Sequence, residues 1–341
     1  MNKRPVTIQE VAKTAKVSAA TVSRVLSKPG VVSEQTRQAV LQAIQTTGYR
    51  VNQAARNLRM QRAGTVLVLV PNLGKPFYSG ILAGISEGFA GSEYSVLITD
   101  TERDPILDST LVGYFLDGRI DGAIALDGGL PPSALNECVS QGVGGRIVFL
   151  CEWVEGYDFP VVTSDNAEGA RQAIRHLHDL GHRHIAQVKG PADNVLTTAR
   201  ADGADAELDR LQLPRPEEWT LNGDFTLQSG QVAAKRILAM AERPTAVFCA
   251  ADMVAFGLIS EFKNAGVRVP EDISVVGFDD IDISEFYVPS LTTIRQNRHG
   301  LGVRAALALR DRLSRPGEGP ATELPISVEL IVRDSTAPPP S

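Results

Sequence analysis

Between residues 8 and 47 the apolar positions recur at helical spacing. Ile8, Val11, Ala12 and Ala15 share one face, and Thr7 and Glu10 have the spacing of a capping box, so a first helix is predicted over 8–15. A short turn, Lys16–Val17, leads to Ser18, a good N-cap. Val22, Val25 and Leu26 then form a narrow stripe on a second short helix, with Thr21, Ser23 and Arg24 on its other side. A third helix is predicted over 33–47, capped by Ser33, with Val40, Ala43 and Ile44 inward and Gly48 near its end. From Gly64 the pattern changes. Apolar runs ("TVLVLVP", "YSVLITD", "DGAIALD", "RIVFLC", "HIAQVKG", "TAVFCAAD", "ISVVGFDD") alternate with amphipathic segments. Such runs predict strands buried on both faces. Helices are predicted near 77–91, 104–117, 131–141, 167–180, 197–212, 226–241, 252–265 and 297–313. Alternating strands and helices imply doubly wound parallel sheets. There are too many for one sheet, so two lobes with a cleft between them are expected, with ligands at the carboxyl ends of the strands.

Charge sharpens the division. The net charge of −6 hides an asymmetry: residues 1–62 hold 11 Lys and Arg against Glu10 and Glu34, and the remainder holds 23 against 38 acidic residues. A basic segment on an acidic body predicts a polyanionic partner for that segment alone. Two short helices joined by a tight turn, with a third closing the core, is a helix-turn-helix arrangement, whose second helix enters the major groove. On that reading the small Ala19 and Ala20 let the backbone approach the bases, and their methyls touch a thymine methyl. Arg24, one turn on, reaches a guanine bidentately, and Ser18, Thr21 and Ser23 suit the DNA backbone.

The stretch "TIQEVAKTAKVSAATVSRVLSKPGVVSEQTRQAVLQAIQTTGYRVNQAARNLR" resembles the N-terminus of the LacI/GalR family of bacterial transcription regulators. The resemblance implies that Ala19, Ala20 and Arg24 face bases; many members carry larger side chains at the two alanines, which shifts weight onto Arg24. "NQAARNLRMQR" (52–62), by itself either a short helix or a basic coil, then corresponds to the family's hinge helix. Leu58 would be the minor-groove wedge and Arg59 a neighbouring DNA contact.

The resemblance continues to about residue 336, through "PTAVFCAADMVAFG", "VPEDISVVGFDDIDISEF", "PSLTTI", "GDFTLQSG" and "ELIVRDST", and looks closest to the cytidine- and purine-responsive repressors. It implies a periplasmic-binding-protein-like body. The expected organisation is a headpiece over 1–50, a hinge over 51–63, a two-lobed effector-binding and dimerisation domain over 64–336, and a disordered end over 337–341. The first lobe would comprise 64–162 plus 294–323, and the second 163–293 plus 324–336. Effector contacts carried over are Phe77, Tyr78, Arg200, Phe225 and Asp279: Arg200 and Asp279 as a pair for vicinal hydroxyls, the aromatics for stacking on a ring. Asp252 is read either as lining the cleft or as capping the next helix. The implied effector is a nucleoside, with a pentose or hexose as the alternative. The implied partners are a pseudo-palindromic DNA operator and a second copy of the chain.

Other signals carry no chemistry. His176, His178, His182 and His184 cluster in "HLHDLGHRHI", but His176 and His178 are two apart on a helix and His182 belongs to a helix-to-strand turn, so no metal is expected. "GFDDIDI" lacks the later glutamate of a calcium loop, and "GVGGR" precedes a strand, unlike a dinucleotide fingerprint. With no catalytic motif, an enzyme is not expected and no cofactor is assigned. Cys138, Cys151 and Cys249 read as buried free thiols. No run approaches the roughly 18 apolar residues of a membrane span, and the N-terminus lacks the apolar core of a secretion signal. The expected location is therefore the cytoplasm, at the nucleoid when bound, which disfavours a solute-binding transport protein. "TAPPPS" has no heptads, which argues against a C-terminal tetramer helix.

Overall fold

In the computed structural model, which describes residues 6–27, 29–49, 62–102, 110–315 and 325–340, the capping signals of the N-terminal segment close into a helical unit. Helix α1 (Ile8–Ala15) starts with a reciprocal capping box: Thr7 Oγ1 accepts from the Glu10 amide, and Glu10 accepts from the Thr7 amide at 2.6 Å. It stops at Lys16, whose left-handed φ of 57° turns the chain toward α2 (Ala19–Ser27). The Thr21 amide donates to Ser18 Oγ at 3.1 Å. Helix α3 (Glu34–Thr47) is capped by Ser33 and ends at Gly48, φ 66°. Such N-caps each stabilise a helix by about 1 kcal/mol. Val11, Ala12, Val22, Val25, Val40 and Ala43 bury together, with Leu26 and Ile44 packed against them.

Residues 1–63 and 64–341 are two separate units. The second unit runs β1 (Thr65–Val70), α4 (Phe77–Phe89), β2 (Ser95–Asp100), α5 (Thr110–Leu116), β3 (Gly122–Ala125), α6 (Pro132–Ser140), β4 (Ile147–Leu150) and β5 (Val161–Val162). It continues through α7 (Asn166–Asp179), β6 (Ile185–Val188), α8 (Val195–Arg210), β7 (Thr220–Leu221), α9 (Leu227–Leu238), β8 (Ala246–Cys249), α10 (Asp252–Asn264) and β9 (Ser274–Asp279). It closes with β10 (Thr292–Arg295), α11 (Arg298–Ser314) and β11 (Glu329–Ile331). Among the described residues the sheets are ordered β2-β1-β3-β4-β5 and β11-β10-β9-β8-β6-β7. All pairings are parallel except β10 with β11. The order reverses beside β1 and β3 in the first sheet and beside β6 and β8 in the second, where the strand ends open a crevice.

Each lobe is closed by a helix pair whose backbones touch. A Cβ at Gly257 of α10 would lie 1.9 Å from the Leu227 carbonyl oxygen, and one at Gly230 of α9 would lie 2.1 Å from that of Val254. The first lobe repeats the device at Gly84 of α4 and Gly302 of α11, each 2.1 Å from a carbonyl oxygen of the other helix. Gly257→Ala is therefore expected to lower the melting temperature by several degrees, since overpacking costs about 1–3 kcal/mol. An unchanged melting curve would mean that the helices separate freely.

Two boundaries differ from the sequence reading. Ile294 and Arg295 pair within β10, so the return to the first lobe falls after residue 295 rather than at 294. Ala337 is no free end: its carbonyl accepts from His182 Nε2 (2.8 Å) and its amide donates to Ser274 Oγ (3.0 Å), so a buried imidazole pins the C-terminal segment. The hinge expected over 51–63 lies, up to residue 61, outside the described residues, and with it Leu58 and Arg59. The lobe boundary at 323/324 also lies outside them.

Candidate functional site

On α2 the side chains divide by exposure. Ala20 and Arg24, four residues apart, form the exposed stripe, and Thr21 and Ser23 flank it half-buried. Ser18 and Thr21 hydroxyls lie 2.9 Å apart, so both are engaged in the helix start. Ala19 departs from expectation: it packs against the headpiece core, because its position in the first turn continues the Val22–Leu26 face. The helix thus presents one flat, small-residue approach at Ala20 and one long cationic donor at Arg24.

The second site is a cavity of about 330 Å³ at the carboxyl ends of the strands of both lobes. Phe77, Tyr78, Arg200, Phe225 and Asp279 all line it. Arg200, one turn into α8, is 3% exposed and held from three sides. Its Nε donates to Asn166 Oδ1 (2.9 Å), its Nη1 to the Ala250 carbonyl (2.5 Å), and its plane lies 3.8 Å above the Phe278 ring. The remaining Nη2 faces Asp279 Oδ1 at 3.7 Å. That gap is too long for a hydrogen bond. It leaves the Nη2 donor and a carboxylate side by side at the cavity wall, where neighbouring hydroxyls can meet one each. Asp279 ends β9 at φ 119°, a strained backbone state for any residue that carries a side chain, and Gln296 Nε2 donates to its Oδ1 at 2.7 Å. Burial pushes the Asp279 carboxyl above the usual aspartate range; Arg200, Gln296, Arg298 and Lys75 oppose the rise.

The aromatics are not equivalent. Phe77 opens α4, is half-buried, and packs against the cores of both lobes. Phe225 follows β7 at φ 62°, its ring 5.8 Å from the Arg200 guanidinium, in space that the absent side chain of Gly190 vacates. Tyr78 is 6% exposed and belongs mainly to the first lobe's core, with its ring edge-on to Phe77; burial pushes its hydroxyl far up, so it stays protonated. Asp252 lines no part of the cavity. It is fully buried and accepts from the Ile281 amide (2.9 Å), Ser284 Oγ (2.7 Å) and Thr293 Oγ1 (2.5 Å). Instead it fixes the turn after Asp279. Burial, with Asp279 as a negative neighbour, pushes its carboxyl up.

Several lining residues escaped the sequence reading: Lys75, Asp127, Glu152, Trp153 and Asn194. Glu152, just after β4, accepts from the Gly128 amide at 3.0 Å and from Asn194, the N-cap of α8 in the other lobe. Asp127, just after β3, accepts from Thr101 and from the Gly129 amide. Their positions immediately after strand ends were the available signal. The cavity wall holds four carboxylates (Asp127, Glu152, Asp193, Asp279) against two cations (Lys75, Arg200). That balance disfavours a phosphate and suits a neutral ligand.

The histidines have separate partners: His176 Nε2 meets Thr336 Oγ1 (3.0 Å), His182 Nδ1 meets Thr245 Oγ1 (2.9 Å), and His184 packs on Trp219. Among the described residues no group of His, Cys, Asp and Glu is placed to hold a metal, and no helix is long and apolar enough to cross a membrane. All three cysteines are buried and free, and burial pushes each thiol up.

Comparison with known proteins gives the same two parts. Residues 7–52 match the model for bacterial regulatory proteins of the lacI family, and 174–336 match that for a periplasmic binding protein-like domain. The HTH-type transcriptional repressor CytR of Escherichia coli K12 is 36% identical over 330 residues, covering 97% of this chain and 96% of the relative. The repressor PurR of Haemophilus influenzae PittEE is 31% identical, covering 96% and 98%. Among solved structures, the Lac repressor dimer bound to operator and the anti-inducer ONPF superposes with a TM-score of 0.81 at 30% identity, covering 98% of this chain and 100% of that one.

Proposed function

The chain belongs to the LacI family of transcriptional repressors, and from that premise we propose that it is a homodimeric repressor whose grip on its operator is set by a neutral ribonucleoside in the cleft. It is a DNA-binding regulator with an effector domain, not an enzyme. The observation that carries the ligand reading is the Arg200–Asp279 pair, 3.7 Å apart in a cavity that Phe77 and Phe225 also line. A charged donor beside a charged acceptor pins a vicinal diol, the Nη2 group taking one hydroxyl and the carboxylate the other. An aromatic face takes a flat ring. The excess of carboxylates turns away a phosphorylated form. Binding that draws the two lobes onto one ligand fixes their relative orientation, and operator and effector affinities must then be coupled reciprocally.

The test is melting temperature against ribonucleosides, nucleobases, ribonucleoside monophosphates, pentoses and hexoses at about 1 mM. A ligand at 100 times its Kd adds about 2.7 kcal/mol of stability. A shift with nucleosides alone carries the proposal; a shift with free sugars alone replaces it by the sugar reading. One observation favours that second reading: structures similar to this chain include a LacI-family regulator from Enterococcus faecium with bound ribose, at 30% identity and a TM-score of 0.71.

The reading also fixes a pH dependence. Asp279 accepts hydroxyls best as a carboxylate, and its raised pKa means protonation begins at a higher pH than for an ordinary aspartate. Effector affinity is expected to fall from pH 8 to pH 5, as calorimetric titration would measure. Equal affinity at both would remove Asp279 from the contact.

A further inference from the structure

We propose that Arg298 is a positioning residue that sets the spacing between the two walls of the cleft, holding the aromatic wall and the hydroxyl-binding pair in register from outside the cavity. The inference takes its ligand from the reading above, but its geometry stands apart from it. Arg298 is the first residue of α11, the helix that packs backbone to backbone on α4 in the first lobe. Its side chain is only 11% exposed. Nη1 lies 3.5 Å from the carbonyl oxygen of Pro76, the residue immediately before Phe77. Nη2 donates to the carbonyl of Asp280, the residue immediately after Asp279, at 3.1 Å, and to Asp282 Oδ1 at 2.7 Å. One guanidinium therefore touches the chain next to the stacking aromatic of one lobe and next to the hydroxyl acceptor of the other.

Local packing fits this use. Gly80, one turn into α4, lets the arginine lie flat: a Cβ there would come within 3.3 Å of Arg298 Cβ. The Asn297 cap, accepting from the Gly300 amide at 2.8 Å, fixes where the side chain leaves the helix. A plain surface ion pair with Asp282, itself 86% exposed, would contribute little and would not need the two backbone carbonyls. A planar fork with donors in two directions can serve both lobes at once, whereas a lysine ammonium is a point charge that reaches one of them well. Asp279 also feels Arg298 directly, as one of the charges holding its carboxyl down against burial.

The experiment compares Arg298→Met and Arg298→Lys with the parent dimer, using adenosine and cytidine as calorimetric probes and hydrogen exchange without ligand. Arg298→Met is expected to bind the nucleoside about tenfold more weakly, with Arg298→Lys recovering part of the loss at the same melting temperature. Amides of 77–81 and 281–284 should exchange faster in Arg298→Met while those of β1 and β9 stay protected. Parental affinity in Arg298→Met, or losses in both variants that track only a lowered melting temperature, would overturn the proposal. If the parent binds neither nucleoside, the ligand reading has failed on its own, and exchange decides: faster exchange on both walls sustains the role of Arg298, and unchanged exchange ends it.

Discussion

Asp279→Asn is expected to repress as the parent does and to ignore the effector. The substitution keeps the side chain's shape, so the strain already borne at φ 119° is unchanged. It removes the charge that faces Arg200 at 3.7 Å and that a ligand hydroxyl would meet. Arg200 keeps Asn166, the Ala250 carbonyl and the Phe278 ring, so the pocket stays formed. Losing the charged acceptor of a hydrogen bond to the ligand costs about 1.5–3 kcal/mol, which is roughly 10-fold or more in effector affinity. Asp279→Ala should be at least as deaf to effector, with some loss of stability because the buried Gln296 amide loses its acceptor. The measurement is operator binding titrated against effector. A normal effector response in Asp279→Asn would move the ligand elsewhere in the cavity.

Arg24→Ala should abolish discrimination between operator and random DNA while leaving random binding nearly intact. Arg24 is the one long side chain on the exposed stripe of α2, with Ala20 beside it offering only a methyl. A bidentate arginine–guanine contact is worth about 1–3 kcal/mol of base discrimination, and a dimer makes it twice. Specific affinity should therefore fall roughly 30-fold to 10⁴-fold. The dependence on salt should change little, because it reports phosphates, which arginine at a base edge does not neutralise. Parallel losses on operator and random DNA would make Arg24 a phosphate contact. Leu58→Ala, in the segment expected to form the hinge, should weaken binding with little change of base preference.

The headpiece was legible because its signals are local. Thr7 with Glu10, Ser18, Ser33 and Gly48 each act within a few residues, and each does what its spacing requires. The long strands were legible for the same reason, but β2, expected to be buried on both faces, lies at the sheet edge with Leu97 and Ile98 exposed. Strands β5 and β7 were missed, being two residues long and too short for any period to register, and so were the short β10 and β11. Ala19 turned toward the core because one position of helical rotation decides its face. The Glu152–Asn194 contact joins residues on different lobes, and Asp252 gathers partners 29 to 41 positions away. No periodicity carries such information; only the folded crossing of sheets does. The two-residue error at Ile294 has a related cause: a strand that ends one lobe runs straight into the helix that begins the next.

The glycine crossings set the terms on which this scaffold can be re-engineered. Where two helices meet carbonyl to Cα, the lobe has no side chains to repack and so no slack to absorb change. A library seeking a new effector should leave Gly84, Gly302, Gly230 and Gly257 untouched and spend its diversity on the strand-end loops at 75–76, 127–129, 152–153 and 191–194. Those loops can be rewritten one by one, because the frame that carries them is stiff enough to report any new ligand as a movement of whole lobes.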